Sequence, residues 1–152
     1  MAKPLEILAV NHISRETDDV EGLTKFYTQV LGLPRLERPD FGFGGSWFAL
    51  PNGVQFHIIE KDSQKPPVSQ PVQDNQLQIT SEGRLPERFI RRSHHMALTV
   101  ADIEDTKSRL TTMGIPFAVN VVPGTPIIQL FVYDPDGNGI EIGNFDVQRS
   151  KM

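Results

Sequence analysis

Two kinds of hydrophobic periodicity alternate along the chain. In the stretch GVQFHIIE, residues 53–60, apolar side chains occupy every second position, with Gln55 and His57 between them. This period of two predicts a half-buried β-strand. Two other segments have helical spacing. Their apolar positions are Val20, Leu23, Phe26, Tyr27, Val30 and Leu31 in the first helix, and Ile103, Leu110 and Met113 in the second.

Each predicted helix has an acidic start and a glycine end. A capping oxygen at the N-terminus is followed three residues later by a carboxylate, which also meets the positive end of the helix dipole. These pairs are Asp18 with Glu21, and Asp102 with Asp105. A left-handed glycine and then a proline end each helix. They are Gly32 with Pro34, and Gly114 with Pro116.

The same features occur twice, which indicates an internal repeat. The offset is 83 residues from His12 to His95 and 84 residues from His57 to Glu141. LPNGVQFHII (50–59) aligns with DPDGNGIEIG (134–143), so that Pro51 matches Pro135 and Gly53 matches Gly137. The sequence therefore predicts an α+β protein with two βαβββ modules, 6–60 and 93–146, in one domain that spans residues 1–152.

Residues 61–92 separate the two modules. They are rich in Pro, Gln and Ser, which predicts a linker rather than core. Four arginines near its end could contact an anionic substrate, but their alternation with glutamates favours a solvated rim. They are Arg84, Arg88, Arg91 and Arg92.

Composition excludes several classes of function. A net charge of −4 and a pI near 5.5 argue against binding to nucleic acid or to a membrane surface. The chain has no cysteine, so thiolate metal sites and cysteine nucleophiles are excluded. The apolar run from Leu5 to Val10 is too short for a signal-peptide core, which favours a cytoplasmic location.

Four candidate metal ligands occupy two equivalent positions in each module: His12, His57, His95 and Glu141. If the strands of both modules curl together, these side chains converge in one cleft. Three imidazoles and a carboxylate suit one divalent ion (Zn, Fe, Ni, Co or Mn) with positions left open for substrate. The repeat offset selects His95, so that His94 is expected to point outward or toward the linker. A hydrogen-bonded polar cluster without metal is the alternative.

The walls of this cleft are predicted by the same alignment. Trp47 matches Phe131, and Gly45 matches Gln129, all with inward parity. An apolar or aromatic substrate portion with a few polar contacts fits such walls, although simple packing could also explain the aromatic side chains. The expected substrate contacts are Ser14, Trp47, Gln55, Gln129 and Phe131.

The segments NHIS, FYTQVLGL, HHMALTV and DPDGNGIEI resemble the vicinal oxygen chelate superfamily, in particular glyoxalase I-like (lactoylglutathione lyase-like) proteins. The resemblance implies an open eight-stranded sheet curled around a divalent metal, homodimers, and a ligand set of His12, His57, His95 and Glu141. It also implies proton transfer with Glu141 as the base, and His57 is the second candidate catalytic residue. Family lyases commonly have a carboxylate or glutamine where this chain has His57, and glutathione-binding residues where it has Glu16 and Lys61.

We therefore expect a metal-dependent lyase or isomerase that polarises vicinal oxygens of a small α-hydroxycarbonyl or hemithioacetal. One alternative is the same metal site acting on a partly aromatic molecule, as an epimerase, aromatising isomerase, thiol transferase or dioxygenase. The other is a non-catalytic protein that binds a small ligand.

Overall fold

Eight strands form one mixed sheet in the part of the chain that the computed structural model describes, residues 3–64, 84–90, 93–133 and 138–146. The strands are β1 (Ala9–Thr17), β2 (Arg35–Leu36), β3 (Gly45–Ala49), β4 (Gln55–Glu60), β5 (His95–Thr99), β6 (Ala118–Val121), β7 (Ile128–Tyr133) and β8 (Gly139–Gly143). Their order across the sheet is β2-β3-β4-β1-β5-β8-β7-β6. The helices are α1 (Val20–Lys25), which continues as a π-helical turn (Phe26–Val30), and α2 (Ile103–Thr112).

Strand pairing confirms the repeat. β1 is parallel to β4, and β5 is parallel to β8, so each module has the same internal arrangement. The modules meet where β1 and β5 run antiparallel, with Ile13 opposite Met96. On either side of this pair, His12 lies opposite Ala97 and Ser14 lies opposite His95. The 83-residue offset therefore corresponds to a pseudo-twofold relation centred between these two strands.

Each helix covers the outer face of its own half of the sheet. Leu23 and Tyr27 pack on a core of Phe48, Phe56 and Ile58. In the second module, the outer core contains Val100, Ile103, Leu110, Phe117, Leu130, Val132 and Ile142. The residues that alternate with these core positions along the strands therefore lie on the inner face, as the period of two predicts. Among the described residues, no helix is both long and apolar enough to cross a membrane.

The first helix differs from the prediction at both ends. Asp19, not Asp18, is the N-cap, and its Oδ1 accepts a hydrogen bond from Gly22 N at 2.8 Å. The predicted apolar stripe is wrong for three members, Phe26, Val30 and Leu31, which are 49%, 65% and 54% exposed. The π-turn explains the exposure of Val30 and Leu31, since an i→i+5 hydrogen bond inserts a residue and rotates the following side chains off the core-facing stripe. Phe26, the first residue of the turn, is exposed without this rotation.

The second helix follows the prediction closely. Asp102 is its N-cap and accepts hydrogen bonds from Glu104 N and Asp105 N, both at 2.9 Å. Ile103 and Leu110 are buried, whereas Met113 at the helix end is 37% exposed. The glycines after both helices have the expected left-handed backbone, with φ of 64° at Gly32 and 68° at Gly114.

The segment between the modules contributes to the core, contrary to the prediction from its composition. Leu85 is 4% exposed and packs with Ala118 and Phe131, and its backbone N donates to Phe117 O at 2.8 Å. A single leucine between charged residues gave no periodic signal. Arg84 and Arg88 are exposed. The predictions for Arg91, Arg92, Pro135, Gly137 and residues 65–83 lie outside the described residues.

Candidate metal centre and substrate cavity

A cavity of about 670 Å³ opens on the inner face of the sheet, within the usual range of roughly 300–1,000 Å³ for small-molecule sites. Its aromatic lining, within the described ranges, is Phe41, Phe43, Trp47, Phe131 and Phe145. Its amide lining is Asn11, Gln55, Asn120 and Gln129. Three of the four histidines in the chain and one buried carboxylate also line it: His12, His57, His95 and Glu141.

Three of the four predicted ligands converge. One ligand atom each from His12, His95 and Glu141 lies within 4.8 Å of the other two. The His12 and His95 Nε2 atoms are 3.2 Å apart, and Glu141 Oε2 lies 3.1 Å from His95 Nε2 and 3.9 Å from His12 Nε2. These residues come from β1, β5 and β8, which are neighbours in the sheet. We call His12, His95 and Glu141 the triad.

The hydrogen bonds behind the two imidazoles fix which nitrogen faces the centre of the triad. His12 Nδ1 lies 2.7 Å from Asn11 Oδ1, and His95 Nδ1 lies 2.7 Å from Ser93 O. Because carbonyl oxygens only accept, both Nδ1 atoms carry the proton, and both Nε2 atoms can direct a lone pair at the centre. Metal-binding histidines are commonly oriented by this kind of outer hydrogen bond. The donor set therefore fits a divalent cation.

A chain of amides fixes the carboxylate. Asn120 Nδ2 donates to Gln129 Oε1, and Gln129 Nε2 donates to Glu141 Oε1, each at 2.7 Å. Burial would by itself raise the pKa of Glu141. The hydrogen bond from His95, the charges of His12 and His95 and the hydrogen bond from Gln129 outweigh burial and hold this pKa below its ordinary value. Glu141 is thus an ionised carboxylate in a buried site.

The two triad imidazoles have different proton affinities. Burial, the largest cause, lowers the pKa of His12 to about 4; the charge of Glu141 opposes this effect and that of His95 adds to it. Burial acts in the same direction on His95, but the hydrogen bond and charge of Glu141, with the Ser93 carbonyl, raise its pKa overall. In the metal-free protein, a proton on His95 Nε2 can therefore bridge to Glu141.

His57 lies beside the triad rather than in it. Its ring stacks between Trp47, at 4.0 Å and an interplanar angle of 3°, and His12, at 3.9 Å and 22°. Its Nε2 is 2.9 Å from Gln55 Oε1. Burial first, then repulsion from His12, His95 and Arg38, lowers its pKa well below 6.5, so this imidazole is neutral at neutral pH. Metal ligation by His57 stays a prediction.

Four of the five predicted substrate contacts line the cavity: Trp47, Gln55, Gln129 and Phe131. Ser14 does not, because it is fully buried and its Oγ lies 3.1 Å from His95 Nε2. His94 points away from the triad, as predicted, with a 56% exposed side chain 3.9 Å from Glu16 Oε1. Arg84 and Arg88 are not among the described lining residues.

Several lining residues were missed by the sequence reasoning. Asn11 precedes a candidate ligand, and Asn120 lies opposite Gln129 in the β6–β7 ladder. Asn120 occupies an inward position of β6, so it could have been identified as a lining residue once the strand register was known. Arg38, Phe41 and Phe145 lie outside regular strands, where alternation gives no information.

Known proteins share this architecture. The Arabidopsis thaliana protein named Glyoxylase I 4 is 27% identical over 148 residues, which cover 94% of this chain and 74% of that protein. Methylmalonyl-CoA epimerase from Mycobacterium tuberculosis superposes with a TM-score of 0.60 at 14% identity, covering 94% of this chain and 91% of that chain. A superfamily member from Vibrio splendidus 12B01 gives 0.56 at 18% identity, with 90% and 97% covered.

The two structural similarities, at such low identities, support the fold rather than a reaction. The family profile is more specific, because it extends from the first residue of β1 almost to the end of β8. The Glyoxalase/Bleomycin resistance protein/Dioxygenase superfamily profile matches residues 9–142, and the chain belongs to this superfamily, the vicinal oxygen chelate proteins.

Proposed function

We propose that this protein is a divalent-metal-dependent lyase or isomerase of glyoxalase I type, acting on a small α-hydroxycarbonyl or hemithioacetal. The observation that carries this proposal is the triad, in which two oriented Nε2 atoms and one carboxylate converge on the wall of a substrate-sized cavity. The mixed nitrogen and oxygen donors suit Zn, Ni, Co, Mn or Fe.

A bound divalent cation supplies Lewis-acid stabilisation of negative charge on neighbouring substrate oxygens. The chain must supply the proton transfer. Glu141 is the candidate base, because it is ionised at neutral pH and Gln129 restrains one of its oxygens. His57 is the second candidate for proton transfer, since it is neutral at the same pH and lies against His12. A base must come within hydrogen-bond reach of the proton that it removes.

The second candidate function is a reaction on a substrate other than a glutathione adduct, and a specific observation favours it. Glu16 and Lys61 occupy the positions at which family lyases hold glutathione, and both have partners on the protein. Lys61 Nζ lies 3.7 Å from Asp18 Oδ2, and Glu16 faces His94. The five aromatic side chains of the cavity also favour a partly aromatic molecule. The same metal site would then perform a different proton transfer, such as an epimerisation.

Both candidate functions require a bound divalent metal, so a measurement of metal content tests both. We expect one equivalent of divalent metal per chain after reconstitution, measured by elemental analysis. His95→Ala and Glu141→Gln should each weaken binding by more than the roughly 10- to 100-fold that loss of an outer-shell partner costs. His94→Ala is the matched control, because this neighbouring histidine points away from the triad. Stoichiometric binding that survives both triad substitutions would exclude the proposed site.

Turnover then distinguishes the two candidates. Methylglyoxal with glutathione should give thioester product with at least one of Zn, Ni, Co, Mn or Fe under the glyoxalase I proposal, and none after Glu141→Gln. Stoichiometric metal without turnover by any of these ions would reject the glyoxalase reaction and leave the second candidate. A protein that binds no metal would instead support the non-catalytic alternative.

A further inference from the structure

Gln129 and Gly45 are one of the equivalent pairs at which the two modules differ on the inner face of the sheet. In the second module, the Gln129 side chain extends from β7 to Glu141. The equivalent residue of the first module is Gly45 on β3. A Cβ at Gly45 would lie 2.6 Å from Ile58 O and 3.1 Å from Arg38 Nε. The tightest of these contacts is with the Ile58 carbonyl, and the guanidinium of Arg38 also lies against Gly45, so a cation borders the position from which an amide extends in the second module.

Aromatic contacts hold this guanidinium against the cavity wall. Its Cζ lies 5.0 Å from the centroid of the Phe41 ring and 5.1 Å from that of Phe43, within cation–π range. The two rings are stacked at 5.6 Å. The loop that carries them is restrained because Asp40 Oδ1 accepts from Gly42 N and Glu60 Oε2 accepts from Gly44 N, both at 2.8 Å. Arg38 is thus positioned before any ligand binds.

Arg38 is also chemically distinct within the cavity. Among the described lining residues it is the one Lys or Arg. Three carboxylates line the same cavity: Asp62, Glu141 and Asp146. Glu141 is engaged with His95 and Gln129, and Asp146 is exposed. The competing explanation is therefore that Arg38 lies in the cavity to balance the charge of Asp62. Arg38 Nη1 also donates to Pro39 O at 3.5 Å. An arginine has five N–H donors, so protein partners and a ligand carboxylate can share them.

The space between Arg38 and the triad is bordered by aromatic rings in series. The ring centroids of Phe41 and Trp47 are 6.0 Å apart, Trp47 stacks on His57, and His57 stacks on His12. A ligand that reaches from the cation to the triad therefore passes an apolar wall. Such a ligand has an anionic group at one end, an apolar body, and oxygen atoms at the other end.

We propose that Arg38 binds a carboxylate of the substrate, so that the site takes a small carboxylic acid with an apolar or aromatic body. This inference rests on the proposed function in that it takes the cavity to be the substrate site. The planar guanidinium can bind a carboxylate through two parallel hydrogen bonds. Arg38 is then the residue that selects acids over neutral molecules of the same shape.

Calorimetric titration of the full chain with matched acid and amide pairs tests this role. The pairs are mandelate with mandelamide, benzoate with benzamide, and lactate with lactamide, first with chelator present and then with metal loaded. The single tryptophan, Trp47, reports by fluorescence whether a ligand enters the cavity. For at least one pair, the wild-type protein should bind the acid about 10- to 100-fold more tightly than the amide, as expected for a charge-assisted hydrogen bond.

Two arginine substitutions make the test specific. Arg38→Gln should remove the preference for the acid and leave the affinity for the amide unchanged. Arg15→Gln is the matched control, because Arg15 is exposed and is not among the described residues that line the cavity. As the next residue of β1 after the buried Ser14, it points to the opposite face of the sheet. It should retain the wild-type preference.

Three outcomes would overturn the assignment. In the first, no acid binds the wild-type protein more tightly than its amide, and absence of binding by every acid counts here. In the second, a preference measured with chelator present survives Arg38→Gln. In the third, it occurs only with metal loaded and is insensitive to Arg38→Gln, which would place the carboxylate at the triad. Because the chelator arm needs neither metal nor turnover, its failure is distinguishable from failure of the proposed function.

Discussion

At the scale of single residues, Asn11 determines which nitrogen of His12 faces the cavity. Its Oδ1 accepts from Nδ1 at 2.7 Å and so leaves the Nε2 lone pair for the triad. We expect Asn11→Leu to weaken divalent-metal binding by about 10- to 100-fold, the usual effect of losing an outer-shell partner. Competition with a chromophoric chelator measures this change. Asn11→Asp keeps an acceptor oxygen and should retain wild-type affinity.

Stability measurements separate this role of Asn11 from a merely structural one. If Asn11 acts by orienting His12, the free energy of unfolding in the presence of chelator should fall by only about 1 kcal/mol in Asn11→Leu, the usual net contribution of one hydrogen bond. Equal metal affinity in Asn11→Leu and the wild type would show that the tautomer of His12 does not depend on Asn11.

Residue positions could be predicted from the sequence, but side-chain partners could not. The inward direction of His12, His57, His95 and Glu141 follows from strand alternation, which backbone geometry fixes. The stacking of His57 depends on the register that sets Trp47 opposite it and on side-chain rotation. Neither quantity is encoded in spacing along one strand. The sequence therefore predicted the four side chains correctly as neighbours but did not separate the triad from His57.

At the scale of elements, two adjacent aspartates at the start of α1 provide a matched comparison. Asp19 caps the helix, whereas Asp18 contacts Lys61 with a carboxylate that is 84% exposed. We expect Asp19→Ala to lower the free energy of unfolding by about 1 kcal/mol, as for loss of an N-cap. Asp18→Ala should change it by less than about 0.5 kcal/mol, because exposed ion pairs contribute little. Urea denaturation checks both, and a larger effect at Asp18 would contradict the cap assignment.

The same helix shows why element boundaries are hard to predict. Asp18 and Asp19 are both good capping residues, and one position of difference has no effect on the apolar spacing. The π-turn that follows has no signature in FYTQV. It lies where Leu31 N reaches back five residues to Phe26 O, at 3.4 Å. Leu23 and Tyr27 pack on the sheet, whereas Phe26 and the stripe positions beyond Tyr27 are exposed.

At the scale of the whole molecule, pseudo-twofold symmetry brings residues distant in sequence into one site. His12 and His95 become neighbours because β1 and β5 pair around Ile13 and Met96. The repeat made this proximity predictable. The asymmetric parts were not predictable from it: Leu85 enters the core from outside both repeats, and Arg38 occupies the space over Gly45. Substrate selection by Arg38 would therefore come from the departures from symmetry, whereas metal binding would come from the symmetry itself.

The cavity also makes global stability depend on pH. Burial, followed by the charges of His12, His95 and Arg38, lowers the pKa of His57 well below 6.5 in the folded protein. Below about pH 6.5 the unfolded chain therefore binds a proton at position 57 that the folded chain does not, and the free energy of unfolding decreases as pH falls. The raised pKa of His95 acts in the opposite direction, with stability lost as pH rises through that pKa.

Replacing His57 by phenylalanine isolates its contribution, because His12, His95 and Glu141 remain in both proteins. With chelator present, we expect the free energy of unfolding of the wild type to fall more steeply between about pH 6.5 and 5, by up to about 1.4 kcal/mol per pH unit relative to His57→Phe. Urea denaturation across this range measures both slopes. Above about pH 8, position 57 is essentially uncharged in the folded and unfolded states of both proteins, so the slopes should coincide there. Parallel curves below pH 6.5 would mean that His57 is protonated as readily in the cavity as in water, which its burial between Trp47 and His12 opposes.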